Sequence, residues 1–441
     1  MVRVKPVRLA VISLGCPKNL VDTERAIGQM AGSRIVLVDD IADADWVLVN
    51  TCAFIQDARA ESMDTIAEVA RFRAENPRLK IAVAGCLSQR YGGGLRNELA
   101  GVDFLTGVLT RSNVLELTRA VTGAAGRAPY GEDSDRQRFR LTPRHIAYLR
   151  ISEGCDNRCA YCAIPSIRGP LHSRPFEKVL ADAEELLSDG AVELNVIAQD
   201  TTNYGRDLYG RVRLAELVTE LARMNPSGWV RLLYAHPAHL ADDVISVVAA
   251  GGPVVPYVDL PLQHVNDRIL AAMGRKVTRK RVEALIRSIR KRVPGVYIRT
   301  AFIVGFPSET DKEFKELVDF VAAARFERLG AFTYSREEGT AAAALEPQLG
   351  EKEKARRLDV LMERQRTIAV ELNESLVGRT IWGIIDGPSG RDGYPLAGRT
   401  YGDAPEVDGT VFASGRAKAG DVVHLKIVGV DEYDLLAEIS A

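Results

Sequence analysis

At 441 residues the chain is too long for one ordinary core and predicts two to four domains. Its 46% hydrophobic and 27% charged content is that of a soluble globular protein, and a net charge of −1 gives no polybasic signal for nucleic acid or a membrane surface. No run of about 18 apolar residues marks a membrane span. The opening MVRVKPVRLAVISLGC reads as a first strand, not a signal peptide, so a cytoplasmic location is expected. There the six cysteines point to metal or catalysis instead of disulfides.

In chain order, residues 9–14, 46–50 and 81–84 are short apolar runs, with helix-like stretches at 21–31 and 58–74 between them. This βαβ rhythm predicts a parallel sheet covered by helices. Cys16, Cys52 and Cys86 each fall just past one of these strands, with separations of 36 and 34 residues. Strand C-termini of a parallel sheet share one edge, where ligands bind, so the three thiols should converge there. Three ordinary buried thiols are the alternative.

Residues 123–144 lack apolar periodicity and read as a linker. Six strands follow at 147–151, 193–198, 229–234, 255–260, 297–304 and 331–334, with helices between them, for example at 176–188 and 282–292. They suggest a full or partial (β/α) barrel, closed by a long helix at 351–373. From about residue 376, short strand-like runs at 380–385, 408–412, 421–428 and 435–439 alternate with Gly-rich turns, the texture of a small β-barrel. Residues 381–441 hold ten Asp/Glu against five Lys/Arg, a net of −5.

The most informative stretch is Cys155-Asp-Asn-Arg-Cys159-Ala-Tyr-Cys162, on the loop after the first barrel strand. Active sites of βα barrels lie on that face. Zinc and ordinary iron–sulfur clusters usually take four protein ligands. Three thiolates on a four-iron cluster leave one iron open to bind something else. A zinc knuckle or a structural cluster is the bland alternative.

The Cys-x3-Cys-x2-Cys spacing resembles the signature of the radical S-adenosylmethionine superfamily. That resemblance implies a 4Fe-4S cluster whose open iron binds S-adenosylmethionine, which on reduction yields a 5′-deoxyadenosyl radical. Tyr161 would pack near the adenine, or simply pack the loop. Together ISLGCPKN with VDTE, VNTCAFI, VAGCL, EGCDNRCAYCAIP, IRGPLHSRP, VIAQDTTNYG, YVDLPLQH, FIVGFPSET and FTYSREEGT resemble the methylthiotransferase family across essentially the whole chain. The implied fold is an N-terminal parallel α/β domain (1–125), a linker (126–144), a partial (β/α) radical barrel (145–374) and a small antiparallel β-barrel, the TRAM domain (375–441). The resemblance implies two 4Fe-4S clusters, one on Cys155, Cys159 and Cys162 and one on Cys16, Cys52 and Cys86. The second would deliver the sulfur.

Two branches of the family differ in substrate, a tRNA adenosine or the β-carbon of an aspartate in small-subunit ribosomal protein twelve. LGCPKNLVDTE, VIAQDTTNYGRDLYG and GRTYGDAPEVDG (with Asp403, Glu406 and Asp408) resemble the ribosomal-protein branch. The acidic tail is read the same way, since an RNA-binding barrel should be basic. The expected partners are ribosomal protein twelve, an electron donor and a sulfur source, with no membrane and no stable nucleic-acid complex. A non-enzymatic iron–sulfur sensor or scaffold is a third reading, disfavoured by two sites with an open iron.

Further cofactor-binding candidates are Gln199 and Asp200 at the second strand end, and Gln263 and His264 at the fourth. His264 could orient substrate or cap a loop. Arg299 lies on the fifth strand and should meet an anionic partner, either a cofactor carboxylate or a substrate Asp. Phe302–Gly305 resembles the superfamily's adenine-contacting strand. Ser308 replaces the family's usual Gly, which puts that turn in question. Glu337 and Glu338 could meet a basic substrate, although a solvated surface fits them better.

Overall fold

The computed structural model describes residues 5–99, 101–123 and 138–440. Most of the expected linker, residues 126–137, lies outside the described residues.

The chain divides into two units. The first comprises the residues up to Leu141 with two short pieces, Gly154–Asp156 and Cys162–Pro170. Its sheet has five parallel strands in the order Ile35–Leu37, Val7–Ser13, Trp46–Thr51, Lys80–Gly85, Phe104–Leu105. The two edge strands were not anticipated; at three and two residues they carry too little pattern to be read. The central strand Trp46–Thr51 is buried at every position because helices cover both faces. Val47, Val49, Ile81 and Val83 pack on one face with Ile66 and Val69. Leu48, Ala82 and Ala84 pack on the other with Ala26, Met30 and Leu117.

The second unit holds six parallel barrel strands in two three-stranded sheets. The first pairs Trp229–Leu232, Glu193–Ile197 and Ile146–Arg150; the second pairs Tyr257–Asp259, Tyr297–Val304 and Arg328–Thr333. A single apolar core runs through both, from Leu149 and Val196 to Ile298 and Phe302. The helix Phe176–Ser188 matches its expected range, and the long helix Glu351–Glu374 buries Leu361, Ile368 and Ala369.

The C-terminal strands Thr380–Arg391, Tyr394–Thr400, Val411–Ser414, Val422–Asp431 and Asp434–Ser440 close into a barrel. The expectation of an antiparallel barrel holds for four of its pairings, but Val411–Ser414 runs parallel to Asp434–Ser440. Tyr394–Thr400 is the strand the sequence hid, because Pro395 and Gly398 mimic a turn.

Candidate iron–sulfur sites

Cys16, Cys52 and Cys86 stand at the carboxyl ends of three adjacent strands. Cys16 caps the helix Pro17–Met30, whose first residue is a proline suited to that position. Cys52 directly follows Trp46–Thr51, and Cys86 opens the helix Cys86–Tyr91 after Lys80–Gly85. Gly15 has φ +86, and a Cβ there would lie 2.6 Å from the Cys52 Cβ, so the chain can bring Cys16 beside Cys52 only through a glycine. Gly85 (φ +100) is held as tightly against Asn50 and Thr51.

Buried polar groups frame these thiols. Asn19 donates through Nδ2 to the carbonyls of Leu14 and Thr51, fixing two strand ends. Arg168 donates to the Asp22 carboxylate (2.5 Å), to the Asn19 side-chain oxygen (2.9 Å) and to the Cys86 sulfur (3.4 Å). Ala163 and Ile167, just after Cys162, pack against Cys86. Burial pushes the Cys52 thiol up to about 11, with Cys16 and Cys86 adding smaller upward effects. Burial also raises Cys86, and Arg168 opposes the rise. Metal binding at such thiols releases protons.

The Cys155–Cys162 loop is anchored piece by piece. In the first unit, Cys155 donates its N–H to the Gly169 carbonyl at 3.1 Å, and Gly154 (φ +70) sits against the backbone of Gly169 and Pro170. In the second, Ala160 donates to Met273 O (2.9 Å), Ala342 donates to Ala160 O (2.8 Å) and Asn157 donates to Asp200 (2.7 Å). The Arg275 guanidinium lies 3.8 Å from the Cys159 sulfur. Tyr161 packs against the cluster of Ile269, Met273, Phe306 and Tyr334, the loop-packing role weighed for it.

The remaining candidates separate. Gln199 donates to Glu153 at 2.7 Å, and among the described residues its buried side-chain oxygen has no partner. Gln263 takes φ +70 beyond the strand Tyr257–Asp259, bonded to Ala301 and Ile303. Gly305 (φ +70) lies where a Cβ would meet Lys354 at 2.5 Å, and its N–H is held by Glu309. Three further candidates already have partners within the protein. The Asp200 oxygens accept from Asn157, Thr202, Asn203 and His239. The His264 ring is fully buried, receives the Asn266 N–H at Nδ1 and bonds Glu309 at 3.1 Å through Nε2. The anionic partners of Arg299 are Asp259 and Asp408, each at 3.2 Å. Asp200, His236 and His239 bring one ligand atom each within 4.8 Å of one another, but the donors on Asp200 occupy its oxygens.

The acidic tail is also less available than its count suggests. Asp403 pairs with Arg328, Asp408 with Arg299 and Tyr257, and Asp386 with Arg399 and His145. Only Glu406 of the three acids noted in that loop is exposed. Glu337 is buried and bonded by Ser335, against the solvated role expected for it. Ser308 keeps the left-handed turn at φ +64, at a cost of roughly 1–2 kcal/mol. Arg268 grips both its hydroxyl and its carbonyl. The residues missed from sequence were Asn19, Asp22, Arg168 and Arg275. Asn19, Asp22 and Arg168 lie inside motifs already noted and Arg275 lies between two of them, but nothing in spacing alone shows that they gather around the thiols.

Family models match residues 8–107 (Uncharacterized protein family UPF0004), 149–321 (Radical SAM superfamily) and 377–439 (TRAM domain). Among curated proteins, the ribosomal protein uS12 methylthiotransferase RimO of Geotalea uraniireducens is 42% identical over 98% of both chains. The protein of the same name from Geobacter sulfurreducens is 41% identical over 98% of both. This chain belongs to the ribosomal protein uS12 methylthiotransferase family.

Among solved structures, the radical S-adenosylmethionine methyltransferase TsrM of Kitasatospora setae, with cobalamin and a [4Fe-4S] cluster bound, aligns with TM-score 0.54 at 16% identity. The alignment covers 85% of this chain and 79% of that one, a likeness of fold alone. The radical superfamily implies S-adenosylmethionine and a 4Fe-4S cluster for this uS12 methylthiotransferase family member. The residues fit a cluster of net negative charge, since a buried cation with an unpartnered Nε stands beside Cys159. Among the described residues, no helix is long and apolar enough to cross a membrane.

Proposed function

We propose that this protein adds a methylthio group to the β-carbon of an aspartyl residue in small-subunit ribosomal protein twelve. The match to uS12 methylthiotransferases over 98% of the chain carries this reading. Cys155, Cys159 and Cys162 would hold one 4Fe-4S cluster, and Cys16, Cys52 and Cys86 a second. When bound, the clusters and S-adenosylmethionine supply a carbon-centred radical, a methyl group and a place for sulfur. An electron donor and a sulfur source complete the set of partners.

The chain's own residues then have definable tasks. The free Gln199 oxygen is an acceptor suited to an ammonium group such as the amino end of S-adenosylmethionine. Tyr161, Gln263 and Gly305 complete the proposed cofactor pocket from the cysteine loop and two strand ends. Asn19 and Arg168 orient the N-terminal thiols, and Asp200 holds the cysteine loop through Asn157. The domains fall at 1–125, 145–374 and 375–441.

The test is mass spectrometry of ribosomal protein twelve after incubation with the reconstituted enzyme, a reductant and S-adenosylmethionine. A gain of one methylthio group on a single aspartate is expected. No gain on the protein, with a tRNA modified instead, overturns the substrate assignment. Changing Cys16, Cys52 and Cys86 to Ala together should remove about half of the bound iron, as should changing Cys155, Cys159 and Cys162. Full iron in either variant refutes the ligand assignment.

A further inference from the structure

Arg275 is a buried guanidinium, with 6% of its surface exposed. One of its nitrogens donates to the Cys159 sulfur (3.8 Å), and another donates to the Pro261 carbonyl (2.5 Å). Among the described residues its buried Nε has no partner, and no carboxylate lies within ion-pairing distance of it. Asp200 acts on it only at longer range, and the oxygens of Asp200 are engaged elsewhere. A buried cation without an adjacent anion is strongly disfavoured unless something else supplies the charge.

Arg168 provides the contrast. It also donates to a cysteine sulfur, that of Cys86, but Asp22 balances its charge at 2.5 Å. One arginine thus reaches sulfur with a carboxylate beside it, and the other without one. A four-iron cluster held by three thiolates is net negative, and taking up one electron makes it more so. The charge Arg275 lacks is therefore the charge such a cluster brings, and the reduced form brings more of it.

We propose that Arg275 is a positioning residue that stabilises the reduced cluster at Cys155, Cys159 and Cys162 and so raises its reduction potential. The proposal rests on those three cysteines being the ligands. One electron from an external reductant enters the cluster, and no bond forms or breaks at Arg275. Its backbone surroundings hold the guanidinium in place. Gly274 (φ +70) lies where a Cβ would meet Arg158 O at 2.7 Å, and Met273 O accepts the Ala160 N–H. The arginine and the cysteine loop are therefore fixed to one another through backbone.

The experiment is a reductive titration followed by electron paramagnetic resonance, on the full chain with Cys16, Cys52 and Cys86 changed to Ala so that one cluster remains. In that background Arg275→Met should make reduction at least tenfold less favourable, about 59 mV lower for one electron. Arg275→Lys should restore most of the shift. An unchanged potential in Arg275→Met at full iron content overturns the proposal. If the Met variant loses iron, Arg275→Gln, which keeps a donor for the Pro261 carbonyl, is read in its place. Loss of iron from the Met and Gln variants but not from the Lys variant supports the role of charge. Loss from all three overturns it, because shape and not charge is then what the loop requires. Retained iron after Cys155, Cys159 and Cys162 are changed to Ala would instead refute the ligand assignment.

Discussion

Asp403 accepts two hydrogen bonds from the Arg328 guanidinium, at 2.8 and 2.5 Å, with both side chains buried. The pair joins the C-terminal barrel to the last strand of the radical barrel. The Asp403 Oδ2 meanwhile takes the Thr400 hydroxyl and N–H. Removing one partner of such a pair leaves an uncompensated buried charge, at a typical cost of about 3–5 kcal/mol. Asp403→Asn should therefore lower the thermal unfolding midpoint sharply. The double change to Asn and Met at 403 and 328 should recover part of that loss. Calorimetry on the three variants measures both.

Gly15→Ala tests the sheet-edge site. The substitution places a methyl within 2.6 Å of the Cys52 Cβ, at a φ that L-residues rarely adopt. It should cost the N-terminal cluster while sparing the radical one. Iron and sulfide assays should show about half the normal content, with circular dichroism unchanged. Full iron content would show that the loop relaxes without harm.

Asp22→Asn removes the anion that balances Arg168. In the apoprotein the loss should reach about 3–5 kcal/mol, the scale of a broken buried pair. With a cluster on Cys86, the sulfur beside Arg168 supplies negative charge in its place. The destabilisation should then be smaller in reconstituted protein than in apoprotein. Paired denaturant titrations under anaerobic conditions read the difference; equal losses would remove the link between Arg168 and the cluster.

His236 gives a pH dependence of definite sign. Burial chiefly, with Arg275 adding to it, pushes its imidazole from 6.5 down to about 3, while Asp200 opposes the shift. Its Nδ1 accepts the Ala238 N–H, which requires the neutral ring. The folded state thus binds fewer protons than the unfolded one between these values. Its contribution is fully present above pH 6.5 and is lost as pH falls toward 3, by at most about 1.4 kcal/mol per pH unit. His236→Asn, which can keep an acceptor for Ala238, should flatten that part of the stability–pH curve. Urea midpoints of the apoprotein at pH 7, 6, 5 and 4 measure it.

How far the sequence could be read depended on the range of each interaction. Strand ends and cysteines are local features. The 36- and 34-residue spacing placed Cys16, Cys52 and Cys86 on neighbouring strands because one βα repeat sets that length. The strand Tyr297–Val304 was readable for the same reason, since its pattern is its own. The intramolecular partners of Arg299, Asp403 and Asp408 could not be read because they lie 40 to 109 residues away. Counting acids in the tail assumed exposure, whereas Asp403 and Asp408 are buried against arginines. His264 was ambiguous because a strand-end histidine can face a ligand or a loop, and only packing decides.

The fully buried Arg231 donates to Glu193 and to the Tyr401 carbonyl, and Arg399 closes on the other oxygen of Glu193. Strands of the radical barrel thus depend on residues of the later, smaller barrel for charge balance. During synthesis the radical barrel cannot reach its final state until residues 399 to 408 have left the exit tunnel. A nascent chain stalled before that point would carry Arg231, Arg299 and Arg328 without their C-terminal partners. Emergence of residues 399 to 408, more than folding of the first strands, is then the event that commits the barrel to its final form.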